Sequence, residues 1–179
     1  MILIYKLYLI IILSSIVLII SGCSDNIKEK TVDITRREKA LEVAINQEGT
    51  PYVWGARGPD YFDCSGLITY SYKSAYERKN IFNIDSWITS DATMQDLYNW
   101  NVDLKSLSKI EPGDIIFMTR EEGKITHGGL FIEWKEKYDK FKFVHASSTA
   151  EKVVREIWHI GNMNTSLKFV NAGRFKASY

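Results

Sequence analysis

The chain predicts an α+β domain in which helices from the first half pack on a central antiparallel sheet of about five strands from the second. Three observations carry this. Apolar residues recur at helical spacing as far as Tyr76, short strand-like runs divided by turn residues dominate from Ile110 onward, and 179 residues allow one domain of ordinary size plus an appendage.

The appendage comes first. Residues 7–20, LYLIIILSSIVLII, are apolar but for two serines, and Lys6 is the only charge before Asp25. This is the pattern of an export signal, or of an uncleaved anchor, since Ile2 to Ile20 nearly matches a bilayer in length. The run Ile20-Ser21-Gly22-Cys23 looks like a bacterial lipobox. That likeness implies a signal peptide over residues 1–22, cleavage before Cys23 and lipid on the Cys23 sulfur. Two or more acyl chains anchor a protein stably. The expected location is the cell envelope, on a membrane outside the cytoplasm: a Gram-negative outer membrane or a Gram-positive outer face. Residues 23–33 read as a polar tether and residues 34–179 as the domain. Without Lys6 the chain holds 22 basic against 22 acidic residues, a balance that gives no sign of a nucleic-acid partner.

The domain opens with a helix. Thr35 and Glu38 have capping-box spacing, and Ala40, Leu41, Ala44 and Ile45 make one apolar stripe that Gly49 ends. In the next stretch, Gly55, Gly58, Pro59 and Asp60 are turn chemistry. Asp63 then suits a helix cap, with Leu67, Ile68, Tyr72, Ala75 and Tyr76 at helical spacing behind it. Across residues 77–109 the pattern is weaker. Ser90 or Asp91 can cap a short helix bearing Met94, Leu97 and Tyr98, and Trp87 and Trp100 read as cover for the core.

From Ile110 the period is that of strands. After the turn Glu111-Pro112-Gly113-Asp114 come Ile115 to Met118, Thr126 to Ile132, Phe141 to Ala146, Val153 to Ile157 and Leu167 to Phe175. Charged turns at Arg120 to Lys124 and Lys135 to Lys140 separate the first three.

Two cysteines are present, and if Cys23 carries lipid then Cys64 has no partner. An unpaired thiol in an exported chain suits thiol chemistry better than a disulfide framework, although a buried structural cysteine fits too. Asp63 places Cys64 in the first helical turn, where the helix dipole and free backbone N–H groups favour thiolate. Of the three histidines, His127 and His145 fall within predicted strands, while His159 follows Trp158 and reads as structural. Should those two strands form a hairpin, the imidazoles can be neighbours on one face, giving a nucleophile, a base and an orienting group. Zinc on Cys64, His127 and His145 is the competing chemistry, without a supporting ligand spacing such as Cys-x-x-Cys.

The runs PYVWG, DCSGL, PGDIIFM, THGGLFI and FVHASS, in that order, resemble the NlpC family of papain-like cysteine peptidases, over about Arg37 to Phe175. The resemblance implies the papain-like fold and a peptidoglycan endopeptidase that cuts stem peptides beside D-glutamyl residues, ahead of diaminopimelate or lysine. It implies Cys64 as nucleophile, His127 as base and His145 as the residue orienting it. Tyr52 would stand by the developing oxyanion, and Asp63 and Ser65 would help hold the substrate's free amine. It implies no metal or other cofactor and stem peptides as partner; the lipid anchor adds a membrane, and the chain is expected to be a monomer. Ala56 replaces a usual second glycine, Arg57 adds a charge, and the hairpin from Trp134 to Phe141 is longer than in the family pattern. The alternatives are a Cys/His amidase that releases whole stem peptides from the sugar, and a lipoprotein that binds wall peptides without cutting.

Overall fold

Helix α1 covers residues 33–45 and buries Ala40, Leu41 and Ala44, the stripe visible in the sequence. A computed structural model describes residues 33–161 and 166–178, so the predicted signal, Cys23 and nearly all of the tether lie outside the described residues. Residues 33 and 34 are already helical, which puts Thr35 inside α1 rather than at a capping box. Gly49, at φ 92°, turns the chain out of it.

Helix α2 spans Cys64–Tyr76, with Asp63 as N-cap and Glu77 closing the other end in the left-handed region. Strands β1 (Phe82–Ile84) and β2 (Trp87–Thr89) then pair as a small separate hairpin that the sequence reading lacked. Trp87, with 76 % of its surface exposed, does not cover the core as expected, and Trp100 is exposed too. Helix α3 (Met94–Trp100) is capped by Thr93 in a box with Asp96, not by Ser90 or Asp91.

The main sheet has six strands in the order β3-β8-β4-β5-β6-β7, every neighbouring pair antiparallel. They are β3 (Val102–Lys105), β4 (Ile115–Thr119), β5 (His127–Glu136), β6 (Lys140–Ser147), β7 (Lys152–His159) and β8 (Lys168–Phe175). The edge strand β3 is the addition to the predicted set.

Both faces of this sheet are covered, which is why β4 is apolar from Ile115 to Met118 instead of alternating. Ile115 and Phe117 join Leu67, Ile68 and Tyr72 of α2 in one core. Ile116 and Met118 join Phe131, Phe141 and Phe143 in a second core on the opposite face. Each such side chain, fully buried, contributes about 1.5–3 kcal/mol. The turn before β4 ties the layers together. Tyr72 Oη donates to Gly113 O at 2.7 Å, Arg37 Nε to Pro112 O at 2.9 Å, and Arg174 binds both oxygens of fully buried Asp114 at 3.0 Å. Removing Arg174 would leave the buried Asp114 carboxylate with only Glu111 N at 2.9 Å and Arg37 at 3.8 Å, a destabilising change. Among the described residues no helix is long and apolar enough to cross a membrane.

Candidate active site

Asp63 organises the head of α2. Its Oδ1 accepts from Gly66 N at 2.6 Å and Ser65 Oγ at 2.9 Å, and its Oδ2 from Gly55 N at 3.0 Å and Arg57 Nη1 at 2.6 Å. Arg57 Nε also binds Asp91 at 2.7 Å, so the charge that departs from the family pattern joins the cap to the segment before α3. Asp63 and Ser65 are therefore engaged with each other and with the loop; a substrate amine would have to displace Arg57. Gly66 permits the close approach of that loop, because a Cβ there would lie 2.0 Å from Ala56 O.

Cys64 is buried and unpaired at the start of this helix. Burial, and then the Asp63 charge, push its thiol up to about 11, while the backbone N–H groups of Ser65 and Cys64 and the Arg57 charge pull the other way. The helix head favours the expected thiolate, and desolvation pulls against it. Tyr52 lies close enough to Cys64 and Asp63 for their charges to raise its own pKa further, after burial. Its backbone is fixed by Tyr52 N donating to Glu151 O at 2.9 Å and by a bridge to Phe62.

The two strand histidines meet directly. Strand β5 pairs with β6, and His127 Nε2 lies 2.7 Å from His145 Nδ1. Gly129 makes room, since a Cβ there would come within 2.8 Å of His145 Cβ. Phe143 stacks on the His145 ring at 4.3 Å and 12°. Burial, then His145 and Arg120, push the His127 imidazole down to about 3. Both shifts disfavour the charged form of the group. Helix α2 packs against β5 and β6, the strands that carry the histidines. Among the hydrogen bonds of the described residues none joins Cys64 to His127.

Two openings flank these groups. One, of about 430 Å³, is lined by Cys64, Trp54, Arg57, Met94, Gln95 and Thr126. The other, of about 290 Å³, is bounded by His127, His145, Arg120, Ser147, Glu156 and Trp158. Glu156 is a residue that sequence reasoning missed: its Oε2 lies 3.1 Å from His145 Nε2. The alternation of Val154, Glu156 and Trp158 hints at a shared strand face, but the register that brings Glu156 to His145 is not written in the sequence. His159 stands apart at the far end of β7, paired with Asp139 at 3.0 Å. Together with Glu136 these form a group with metal-ligand chemistry, already engaged as ion pairs through His159 and Lys140.

Such an arrangement can carry out acyl transfer: a thiol at a helix head, imidazoles on the strands packed against it, and backbone donors for an oxyanion. Comparison with known proteins bears on the same segment. The chain is 30 % identical over 118 residues to the bifunctional muramidase/DL-endopeptidase CwlT of Bacillus subtilis, covering 63 % of this chain and 32 % of that protein. It is 29 % identical over 124 residues to the murein DD-endopeptidase MepH of Escherichia coli, covering 65 % of this chain and 40 % of that one. The chain thus spans less than half the length of either relative. In fold it is similar to NlpC2 from Trichomonas vaginalis, with a TM-score of 0.58 at 24 % identity over 79 % of this chain and 47 % of that one. It is similar also to the NlpC/p60 domain of the peptidoglycan hydrolase SagA, with a TM-score of 0.53 at 23 % identity over 76 % and 97 % of the two chains. Residues 49–170, a segment that holds Tyr52, Cys64, His127 and His145, match the NlpC/P60 family, and the chain belongs to that family.

Proposed function

We propose that this protein is a cysteine endopeptidase of peptidoglycan that cuts stem peptides beside a D-glutamyl residue, ahead of diaminopimelate or lysine. The observation that carries the reading is the packing of the Cys64 helix against the two strands whose histidines are hydrogen-bonded to each other. The names of the relatives, a DL-endopeptidase and a murein endopeptidase, support the substrate class.

In this reading His127 takes the Cys64 proton as the sulfur attacks the amide carbonyl. The oxyanion faces backbone N–H groups at the head of α2 and the Tyr52 hydroxyl. His127 then protonates the leaving amine, and water releases the acyl group from Cys64. His145 orients His127, and Asp63 and Ser65 hold the helix head in shape. The chemistry asks for no cofactor, and the protein acts as a monomer. Residues 1–22 serve as a lipoprotein signal, and lipid on Cys23 holds the domain at the cell envelope, with residues 24–32 as tether.

Mass spectrometry of defined stem peptides, free and sugar-linked, tests the bond. A cut beside the D-glutamyl residue supports the endopeptidase. Release of the whole stem from the sugar would replace it with an amidase, and binding without cleavage would replace it with a wall-peptide-binding lipoprotein.

A further inference from the structure

We propose that Glu156 is a positioning residue of this site, which selects, through His145, the tautomer of His127 able to accept the thiol proton. The inference rests on the acyl-transfer reading above and adds a fourth member to it.

The register of the sheet brings the groups together. His145 pairs with Val154 across β6 and β7, and Phe143 pairs with Glu156. Residues two apart on a strand share a face, so Glu156 is the diagonal neighbour of His145, within reach of a long side chain. Its Oε2 lies 3.1 Å from His145 Nε2, and His145 Nδ1 lies 2.7 Å from His127 Nε2. The inner ring is buried, its side chain 4 % exposed, while the Glu156 side chain is 42 % exposed.

Donor and acceptor roles then follow in sequence. An ionised carboxylate only accepts, so the hydrogen of a neutral His145 sits on Nε2. A neutral imidazole has one N–H, which leaves His145 Nδ1 as an acceptor and requires His127 Nε2 to donate to it. His127 Nδ1 is therefore bare, the state a general base needs. Without Glu156 the reverse order satisfies the same 2.7 Å contact: His145 Nδ1–H donating to His127 Nε2, with the remaining His127 hydrogen on Nδ1, where it blocks proton uptake. Phe143 and Gly129 fix where the rings lie, so they leave this choice open. Glu156 closes it.

During attack one proton moves, from Cys64 Sγ to His127 Nδ1, and the electron pair of that S–H bond forms the S–C bond. Glu156 stays ionised and faces the new imidazolium across His145. Its carboxyl is held below the ordinary range chiefly by the hydrogen bond from His145. The other charged group at these rings is Arg120, after β4, which lines the same opening and whose charge also lowers the His127 imidazole.

The test is ring-nitrogen NMR of the full ¹⁵N-labelled chain, with His127→Gln and His145→Gln variants to assign the signals, alongside turnover of a stem peptide. The expected wild-type pattern is hydrogen on Nε2 and none on Nδ1 in both rings. Glu156→Leu should shift His127 toward the Nδ1–H form and lower kcat on the order of tenfold to a hundredfold, with KM within about twofold. It should also move the acid limb of the pH profile to lower pH, because a lost carboxylate makes the imidazolium less favourable. Glu156→Asp should retain the wild-type tautomer, and Glu156→Ala, which likewise offers no acceptor, serves if the leucine variant fails to fold. Unchanged tautomers in a folded Glu156→Leu or Glu156→Ala protein would overturn the proposal, as would an Nδ1–H form of His145 in the wild type. The NMR readout needs no substrate, so an inactive wild type would count against the endopeptidase reading alone.

Discussion

Arg57 Nη1 lies 2.6 Å from Asp63 Oδ2, and Asp63 caps the helix that begins at Cys64. A guanidinium thus occupies the carboxylate nearest the thiol, where the family resemblance would put a substrate amine. The Arg57 side chain is 29 % exposed and that of Asp63 8 %, so solvent screens the pair only in part.

Arg57→Ala should cost about 1–2 kcal/mol of stability, read by urea unfolding, because its charge-assisted hydrogen bonds to the capping carboxylate of Asp63 and to Asp91 are lost. It should also leave Asp63 Oδ2 with Gly55 N as its remaining donor and room for another. The ratio of turnover on free-amine stem peptides to turnover on sugar-linked ones should therefore rise; an unchanged ratio would show that Arg57 does not filter substrates.

The loop that crosses the head of α2 depends on the absence of one side chain. Gly66→Ala would bring a methyl group within 2.0 Å of the Ala56 carbonyl oxygen. The loop must shift, at a cost of about 3 kcal/mol or more, with most activity lost. Gly161→Ala, where nothing lies within 4 Å of the added carbon, is the control and should be nearly neutral in the same unfolding assay.

Sequence legibility follows the strength of local signals. The Asp63 cap, the helix behind it and strands β4 to β8 were readable because turn residues bracket long apolar runs. Strand β3 was not, since Leu104 at this sheet edge is exposed and the strand presents little apolar pattern. Strands β1 and β2, three residues each, are too short to show alternation. The Thr93 cap was missed because its box closes with Asp96 in place of the commoner Glu or Gln. Neighbouring histidines could be expected from hairpin pairing, whereas Glu156 and the upward push on the Cys64 thiol depend on register and burial, which no local run of residues encodes.

A thiol pushed up to about 11 and an imidazole pushed down to about 3 together set a pH dependence. The thiolate fraction rises as pH approaches the raised value. Alkylation of Cys64 by iodoacetamide should therefore be slow at pH 7 and speed up about tenfold per pH unit across the alkaline range. A flat rate from pH 5 to 9 would instead indicate a preformed thiolate–imidazolium pair.

Tyr52→Phe should leave KM close to wild type and lower kcat on the order of a hundredfold, if the hydroxyl donates to the oxyanion. An equal loss expressed only in KM would assign Tyr52 to substrate binding.

The most direct test of the central claim is digestion of purified peptidoglycan by the wild-type protein and by Cys64→Ala, with soluble products read by mass spectrometry. The account predicts fragments cut beside the D-glutamyl residue from the wild type and none from the variant. The same fragments from Cys64→Ala, or intact peptidoglycan after incubation with a wild-type protein whose Cys64 reacts with alkylating reagent, would contradict it.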